Sequence, residues 1–337
     1  MADKPKRGAD PLTVVADPAR RLLRPEAHSH ERGSLLRELL RPANGLPPLA
    51  TAVVHPCDVV SIGGALQAAR AGLIVPLLVG PRARIERAAA QAGLSLDGQR
   101  IIDVPHSHAA AARGVQLVRA GEAAAILKGS LHTDELMAEV VHPDTGLRTE
   151  RRISHVFVLD VPHYPKPLFV TDAAINIAPD LDTKRDIVQN AIDLCHAVGI
   201  ARPKIALLAA VETVNSKMPS TVDAAALCKM ADRGQITGGL LDGPLALDNA
   251  VSAEAARTKD IESPVAGDAD VLVAPDLESG NMIAKQLVYL ADALIAGLVL
   301  GARVPIMLTS RADDELSRLA SCALALLHQR YRSRAGA

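Results

Sequence analysis

A protein of two α/β domains is predicted by three features of the chain. Its 337 residues exceed what one compact core organises. Short apolar runs bounded by Gly, Pro and Asp alternate with stretches whose apolar residues recur every three or four positions, the pattern of strand-helix-strand units on a parallel sheet. The apolar content is aliphatic: 49% of residues are hydrophobic, yet there are only three Tyr, two Phe and no Trp. Such a core suits Ala-, Val- and Leu-rich helices laid on a buried sheet.

The elements follow in order. Residues 1–33 mix Pro, Arg, Asp and His without a period and read as a mobile extension, with His28 and His30 in a solvated tail. A short helix at 34–40 ends before Pro42. A strand at 50–54 turns at His55-Pro56-Cys57-Asp58, residues 59–71 are helical, and a strand at 74–79 is closed by Gly80-Pro81. Gly63-Gly64 lacks the G-x-G-x-x-G spacing of a dinucleotide fingerprint. A helix at 82–92 and a strand at 101–104 precede His106 and His108, which read as a loop or helix entry.

A helix at 109–120 and a buried strand at 123–127 lead into Lys128-Gly129-Ser130-Leu131-His132-Thr133. A lysine at a strand end followed by glycine and hydroxyls fits a phosphate contact, since Gly lets the backbone approach and Lys supplies a point charge. It also fits a helix capped by Thr133 or Asp134 with Lys128 solvated. His132 is a donor to a phosphate or carbonyl oxygen, or a structural one. The turn at 142–146 marks the first interdomain crossing, and Arg148, Arg151 and Arg152 form a solvated rim or a substrate contact.

In the second domain, 154–161 reads as an edge strand and 168–172 as its neighbour. Asp180 and Asp182 read as caps of a helix at 184–198 rather than as ligands of a divalent ion. A strand at 204–208, a helix at 222–231 and a strand at 236–242 bring the chain to Asp242, which faces the cleft or holds its own turn.

The stretch 275–311 concentrates chemistry. Pro275, Asp276 and Ser279 follow a strand-like run at 271–274, and a helical segment starts near Gly280. Amide donors and the positive end of a helix dipole meet at that corner and favour an anion. Asn281 and Lys285 lie four apart on one helix face. The strand at 304–308 delivers Thr309, Ser310 and Arg311 at its C-terminal end, where open α/β sheets place ligands. A final helix spans 316–328.

Composition excludes other classes. A net charge of −1 and few rings predict no general attraction to nucleic acid or anionic membrane. No apolar run approaches the ~18 residues of a membrane span; the longest, 291–299, contains Asp292 and reads as a core helix. No apolar stretch follows Lys4, Lys6 and Arg7, so no signal peptide is expected. Cys57, Cys195, Cys228 and Cys322 are too scattered for a zinc knuckle or redox pair and read as reduced thiols of a cytoplasmic protein. No metal site is expected.

The segment D-L-E-S-G-N-x-x-x-K at 276–285, followed by a strand ending in Ser310-Arg311, resembles the phosphate acetyltransferase and phosphate butyryltransferase family. Lys128-Gly129-Ser130 with His132, Asp242-Gly243-Pro244-Leu245 with Asp248, and Cys57-Asp58 appear in the family's order, and the likeness covers roughly residues 35–330. It implies two α/β/α domains with an interdomain cleft, as in isocitrate and isopropylmalate dehydrogenases: 34–150 plus 291–333 as a discontinuous first domain and 151–290 inserted as the second. It implies reversible transfer of an acyl group, acetyl before butyryl, between coenzyme A and inorganic phosphate to give an acyl phosphate. Coenzyme A is then a substrate and no cofactor is needed; relatives are commonly homodimers.

The resemblance assigns Ser310, Arg311 and Asp313 to catalysis. It assigns Lys128, Gly129, Ser130, His132, Asp242, Ser279, Gly280, Asn281 and Lys285 to phosphate and coenzyme binding. Two departures stand out. The acetyl-transferring relatives carry an aspartate base seven residues after the Ser, where this chain has Ser317, so Asp313 is chosen by proximity, with Asp242 or solvent as alternatives. A phosphate-binding Arg of those relatives falls at Met137 or nearby apolar residues. The competing readings are an NAD(P)-dependent dehydrogenase of a phosphorylated hydroxy acid on the same fold and a non-catalytic acyl-coenzyme A-binding member.

Overall fold

A computed structural model describes residues 30–308 and 314–335. The first wing of the sheet comprises β1 (Leu49–Val54), β2 (Ile74–Gly80), β3 (Arg100–Asp103) and β4 (Ala125–Lys128), all parallel. Their connections are the helices α2 (Val59–Arg70), α3 (Arg82–Gln91) and α4 (Ser107–Arg119), after a short α1 (Ser34–Leu40). Asp58 starts α2 by accepting from the Ser61 N–H at 2.7 Å, as an N-cap should. Helix α5 (Thr133–Val140) follows β4, and the chain then crosses over.

The second wing holds β5 (Ser154–Asp160), β6 (Leu168–Thr171), α6 (Leu181–Ala197), β7 (Lys204–Leu208), α7 (Pro219–Asp232), β8 (Leu240–Leu245), α8 (Leu247–Val251), α9 (Ala253–Thr258) and β9 (Val271–Val273). The chain returns through α10 (Leu277–Leu290), β10 (Leu294–Leu300), β11 (Ile306–Met307) and α11 (Glu315–Ala335). All strands join one sheet in the order β3-β2-β1-β4-β11-β10-β5-β6-β9-β7-β8. The first wing is parallel throughout and the second is parallel from β6 to β8, while antiparallel pairings of β10 with β11 and β5, and of β5 with β6, join the two parallel runs.

On one face the core is continuous from Leu36, Ile62 and Ile85 to Ile187, Leu227 and Leu324. On the other it divides into one cluster around Val54, Leu117 and Leu136 and another around Leu159, Val170 and Leu272. Val299 of β10 and its partner Ile306 of β11 both belong to the first of these clusters, while Ile295, earlier on β10, packs on the second, so the division falls along β10.

Three expectations change. Residues 291–299 are not a helix: α10 ends at Leu290, Asp292 takes a left-handed conformation (φ 54), and β10 begins at Leu294. Both faces of β10 are covered by helices, so every position is apolar and the two-residue alternation vanishes from the sequence. The expected edge strand at 154–161 lies between β10 and β6, with only one residue of β5 less than fully buried. Asp242 sits within β8, not in a turn beyond it. Of the expected mobile extension, 1–29 lie outside the described residues. Residues 30–33 are packed: His30 Nε2 meets the fully buried Asp160 at 2.6 Å, and Arg32 pairs with Asp292 at 3.2 Å. The second Asp160 oxygen accepts from the Leu36 N–H at 3.0 Å, fixing the start of α1.

Candidate active site

Two cavities are lined by the first turns of α11, one at the end of β4 and the other beside β10 and α10. The larger is a cleft of ≈ 990 Å³, open to solvent, at the β10–β11 seam. Asn281 and Lys285 of α10, Gly297 of β10, Leu308, and Ser317 and Ser321 of α11 line it. The Gly297 N–H donates to Ser321 Oγ at 3.1 Å, tying β10 to α11. A Cβ on Gly297 would lie 2.9 Å from His155 Nε2 and 3.1 Å from Phe157, so glycine leaves the floor open. Lys285 is exposed and, among the described residues, forms no ion pair. Asp314 and Leu308, which flank residues 309–313, both line this cleft.

Ser310, Arg311 and Asp313 lie outside the described residues. What is placed is the strand that leads to them: Met307 pairs with Leu127, one residue before Lys128, so the chain enters 309–313 beside the Lys128 corner.

That corner holds the second cavity, ≈ 460 Å³, lined by Asp58, Ser61, Gly64, Lys128, Gly129 and Arg318 among others. Lys128 Nζ donates to the Leu131 carbonyl at 3.1 Å and the Gly129 carbonyl at 3.3 Å. A Cβ at Gly129 would lie 2.6 Å from the carbonyl oxygens of Val54 and His55, so only glycine lets β4 turn against β1. Ser130 Oγ donates to the His55 carbonyl at 3.0 Å and accepts from the Cys57 N–H at 3.2 Å. The hydroxyl expected to touch phosphate is thus used to tie two strand ends together. His55, buried and left-handed (φ 54), leaves Nε2 without a partner among the described residues, and burial holds its pKa below the usual histidine value.

His132 is exposed and lines neither cavity. It starts α5, its backbone N–H donating to Glu135 Oε1 at 3.4 Å, and so neither Thr133 nor Asp134 is the cap. The corner before α10 also differs from its expected use. Asp276 caps the helix: Oδ1 accepts from the Ser279 N–H and Oγ, both at 2.8 Å, and its carbonyl accepts from the Gly280 N–H at 3.2 Å. The Leu277 N–H donates to the Ile177 carbonyl at 3.1 Å. A carboxylate of the chain occupies the position expected for an external anion, and Ser279 is engaged with it. Gly280 packs on the next loop, a Cβ there falling 2.5 Å from the Asp172 carbonyl, and Asn281 Nδ2 donates to the Ala173 carbonyl at 3.0 Å. Of this group the structure brings Asn281 and Lys285 to the cleft.

Asp242 is not brought near. Six strands separate β8 from β4 in the sheet order, roughly 30 Å at ordinary strand spacing. Its Oδ1 accepts from the Gly243 N–H at 2.8 Å. In the expected basic rim, Arg151 pairs with Asp193.

Sequence reasoning missed Arg32, Phe157, Gly297, Arg318 and Ser321. The positions 314, 318 and 322 repeat every four residues from the helix start and all face the cavities, which is the one local signal for Arg318.

The cysteines are thiols at neutral pH. Burial pushes Cys57 up to about 11 and Cys228 and Cys322 to about 12, and holds Cys195 well above the usual thiol range.

A continuous α/β sheet with a solvent-open cleft beside β10, a lysine at the β4 strand end and another on α10 suits an enzyme of anionic substrates. The chain belongs to the family described as "Phosphate acetyl/butaryl transferase", whose model matches residues 106–326. It is thus an acyltransferase of the reversible reaction between coenzyme A and phosphate. It is 63% identical over 290 residues, 86% of this chain and 92% of the other, to a phosphate acetyltransferase of Rhizobium meliloti. It is 43% identical over 256 residues, 76% and 85% of the two chains, to a phosphate butyryltransferase of Clostridium acetobutylicum. Among solved structures, a branched-chain phosphotransacylase from Enterococcus faecalis matches with a TM-score of 0.72 at 30% identity over 83% of this chain and 99% of the other. A 4-hydroxythreonine-4-phosphate dehydrogenase from Burkholderia phymatum, 16% identical with a TM-score of 0.52 over 83% and 98% of the two chains, shares the fold.

Proposed function

We propose that the group transferred is acetyl, that it moves directly between the coenzyme thiolate and phosphate, and that transfer takes place at the β10–β11 seam. The observation that carries the site assignment is that Leu308 and Asp314, on either side of the segment holding Ser310, Arg311 and Asp313, line one cleft with Asn281 and Lys285. The 63% identity to a relative named for acetyl transfer, against 43% to one named for butyryl transfer, supports acetyl.

A free thiol with its ordinary pKa of about 8.5 attacks poorly, so a base or a cationic surround must favour the thiolate. Asp313 takes the thiol proton. Arg311 holds phosphate through its planar fork of donors, and Ser310 donates to the oxyanion that forms as the carbonyl carbon becomes tetrahedral. Lys128 and Lys285 add positive charge at the mouths of the two cavities. No acyl-enzyme is required for this displacement, and burial, which raises all four cysteine thiols, leaves them poor nucleophiles.

The division into 34–150 plus 291–333 and 151–290 is supported by the path of the chain. It leaves the first wing after α5 and returns through β10 and β11, and the core is divided on the cleft face. We further propose a cytoplasmic homodimer; molecular mass in solution tests the dimer. Among the described residues no helix is long and apolar enough to cross a membrane.

The test is thiol release from acetyl-, propionyl- and butyryl-coenzyme A with and without phosphate. Release that requires phosphate and is fastest with acetyl is expected. A preference for butyryl transfers the assignment to the longer acyl group, and release indifferent to phosphate overturns the reaction.

A further inference from the structure

Arg318 and Gly64 of α2 have no part in the site as predicted, yet they meet at the smaller cavity. Arg318 lies one turn into α11 and lines that cavity together with Lys128. Its side chain crosses α2 at Gly64: a Cβ added there would stand 3.1 Å from Arg318 Cδ and 3.2 Å from Nε. The absent side chain at position 64 is therefore what lets the arginine lie against α2, between this cavity and the surface groove that Gly63, Gly64 and Arg318 line on its far side. Around the cavity stand the cations Lys128 and Arg318, the Ser61 hydroxyl and the start of α2. The Asp58 carboxylate is also there, and its Oδ1 is committed to the Ser61 N–H at 2.7 Å.

We propose that Arg318 and Lys128 form the seat of a substrate phosphate group, with Gly64 as the residue that positions the guanidinium. Two cations on separate elements, one a planar fork and one a point charge, suit a tetrahedral anion better than either alone. This seat rests on the acyl-transfer reading, and the group it holds is either inorganic phosphate or a phosphate of coenzyme A.

The experiment uses the full chain. Initial rates of thiol release are measured while phosphate is varied at saturating acetyl-coenzyme A, and the reverse. Arg318→Gln is expected to raise KM about tenfold for the substrate whose phosphate it holds, with kcat nearly kept. A rise confined to phosphate assigns the seat to inorganic phosphate, and a rise confined to acetyl-coenzyme A assigns it to the coenzyme. Both KM values unchanged in a folded variant overturn the proposal. Gly64→Ala leaves Arg318 present but displaced and should raise the same KM by about threefold; if Arg318→Gln does not fold, an unchanged KM in Gly64→Ala overturns the proposal instead. Separately, inorganic phosphate, or coenzyme A if the seat is the coenzyme's, should raise the melting temperature of the wild-type protein and not that of Arg318→Gln. This binding readout keeps its meaning if wild-type protein shows no phosphate-dependent thiol release, a result that would remove the acyl-transfer reading alone.

Discussion

The corners after β4 and after β9 look alike in sequence and differ in the folded protein. Each follows a parallel strand, and each contains a glycine, Gly129 or Gly280, pressed on a neighbouring backbone. After β9, the N-cap Asp276 takes up the amides of α10, so the positive end of the helix is already neutralised. After β4, the cap of the next helix lies four residues on, at His132, and Lys128 remains at the strand end on the wall of a cavity. The two corners therefore offer an anion different partners: a helix start already held by Asp276 after β9, and a lysine at the strand end after β4.

The largest effect that follows concerns Lys128. Lys128→Ala should lower kcat/KM for phosphate about 100-fold, roughly 2.7 kcal/mol of transition-state stabilisation, with the melting temperature little changed. Steady-state kinetics and a thermal melt on the same preparation decide it. A loss smaller than about threefold would make the two corners equivalent and remove the first from the site.

The buried histidines give the next effect. Burial outweighs the attraction of Asp172 and lowers His155 to about 4, and burial lowers His328 to about 3. In the unfolded chain both titrate near 6.5. Between that value and the folded one the unfolded state binds more protons, so stability is fully present above pH 6.5 and is lost as pH falls through the window. The slope is at most about 1.4 kcal/mol per pH unit for each histidine. Denaturant unfolding from pH 7 to pH 4.5 should show this decline, and His155→Gln should flatten it. An equal decline in the variant would mean that His155 is not a source of the pH dependence.

Many strand positions were readable because parallel βα units keep their punctuation: 204–208 was placed as found, and Asp58 and Gly80-Pro81 bound their elements as expected. Residues 291–299 were not, because a strand covered on both faces carries no alternation, and Asp292 marks a change of element rather than an interrupted helix. The site was partly legible for a related reason. Lys128, Asn281 and Lys285 sit at element ends that local rules identify, whereas Arg32, Phe157 and Gly297 reach the cleft through pairings between distant segments. His30 illustrates this: its partner Asp160 lies 130 residues away, on a strand that the sequence made an edge and the fold made central.

The smallest effect separates the corners most cleanly. Asp276→Ala removes the carboxylate that accepts from the Ser279 N–H and hydroxyl, and should cost about 1 kcal/mol of stability, the usual value of an N-cap. If the corner's amides serve only α10, the KM for phosphate stays where it was while the denaturation midpoint falls. If the same amides are what an incoming phosphate needs, freeing them from Asp276 should lower that KM, because an exposed helix start and one fewer negative charge both favour the anion. Asp276→Asn is the control: it keeps an oxygen for the cap and removes the charge. A KM that falls equally in the Asn and Ala variants would show that charge, rather than occupation of the amides, had kept phosphate away from this corner.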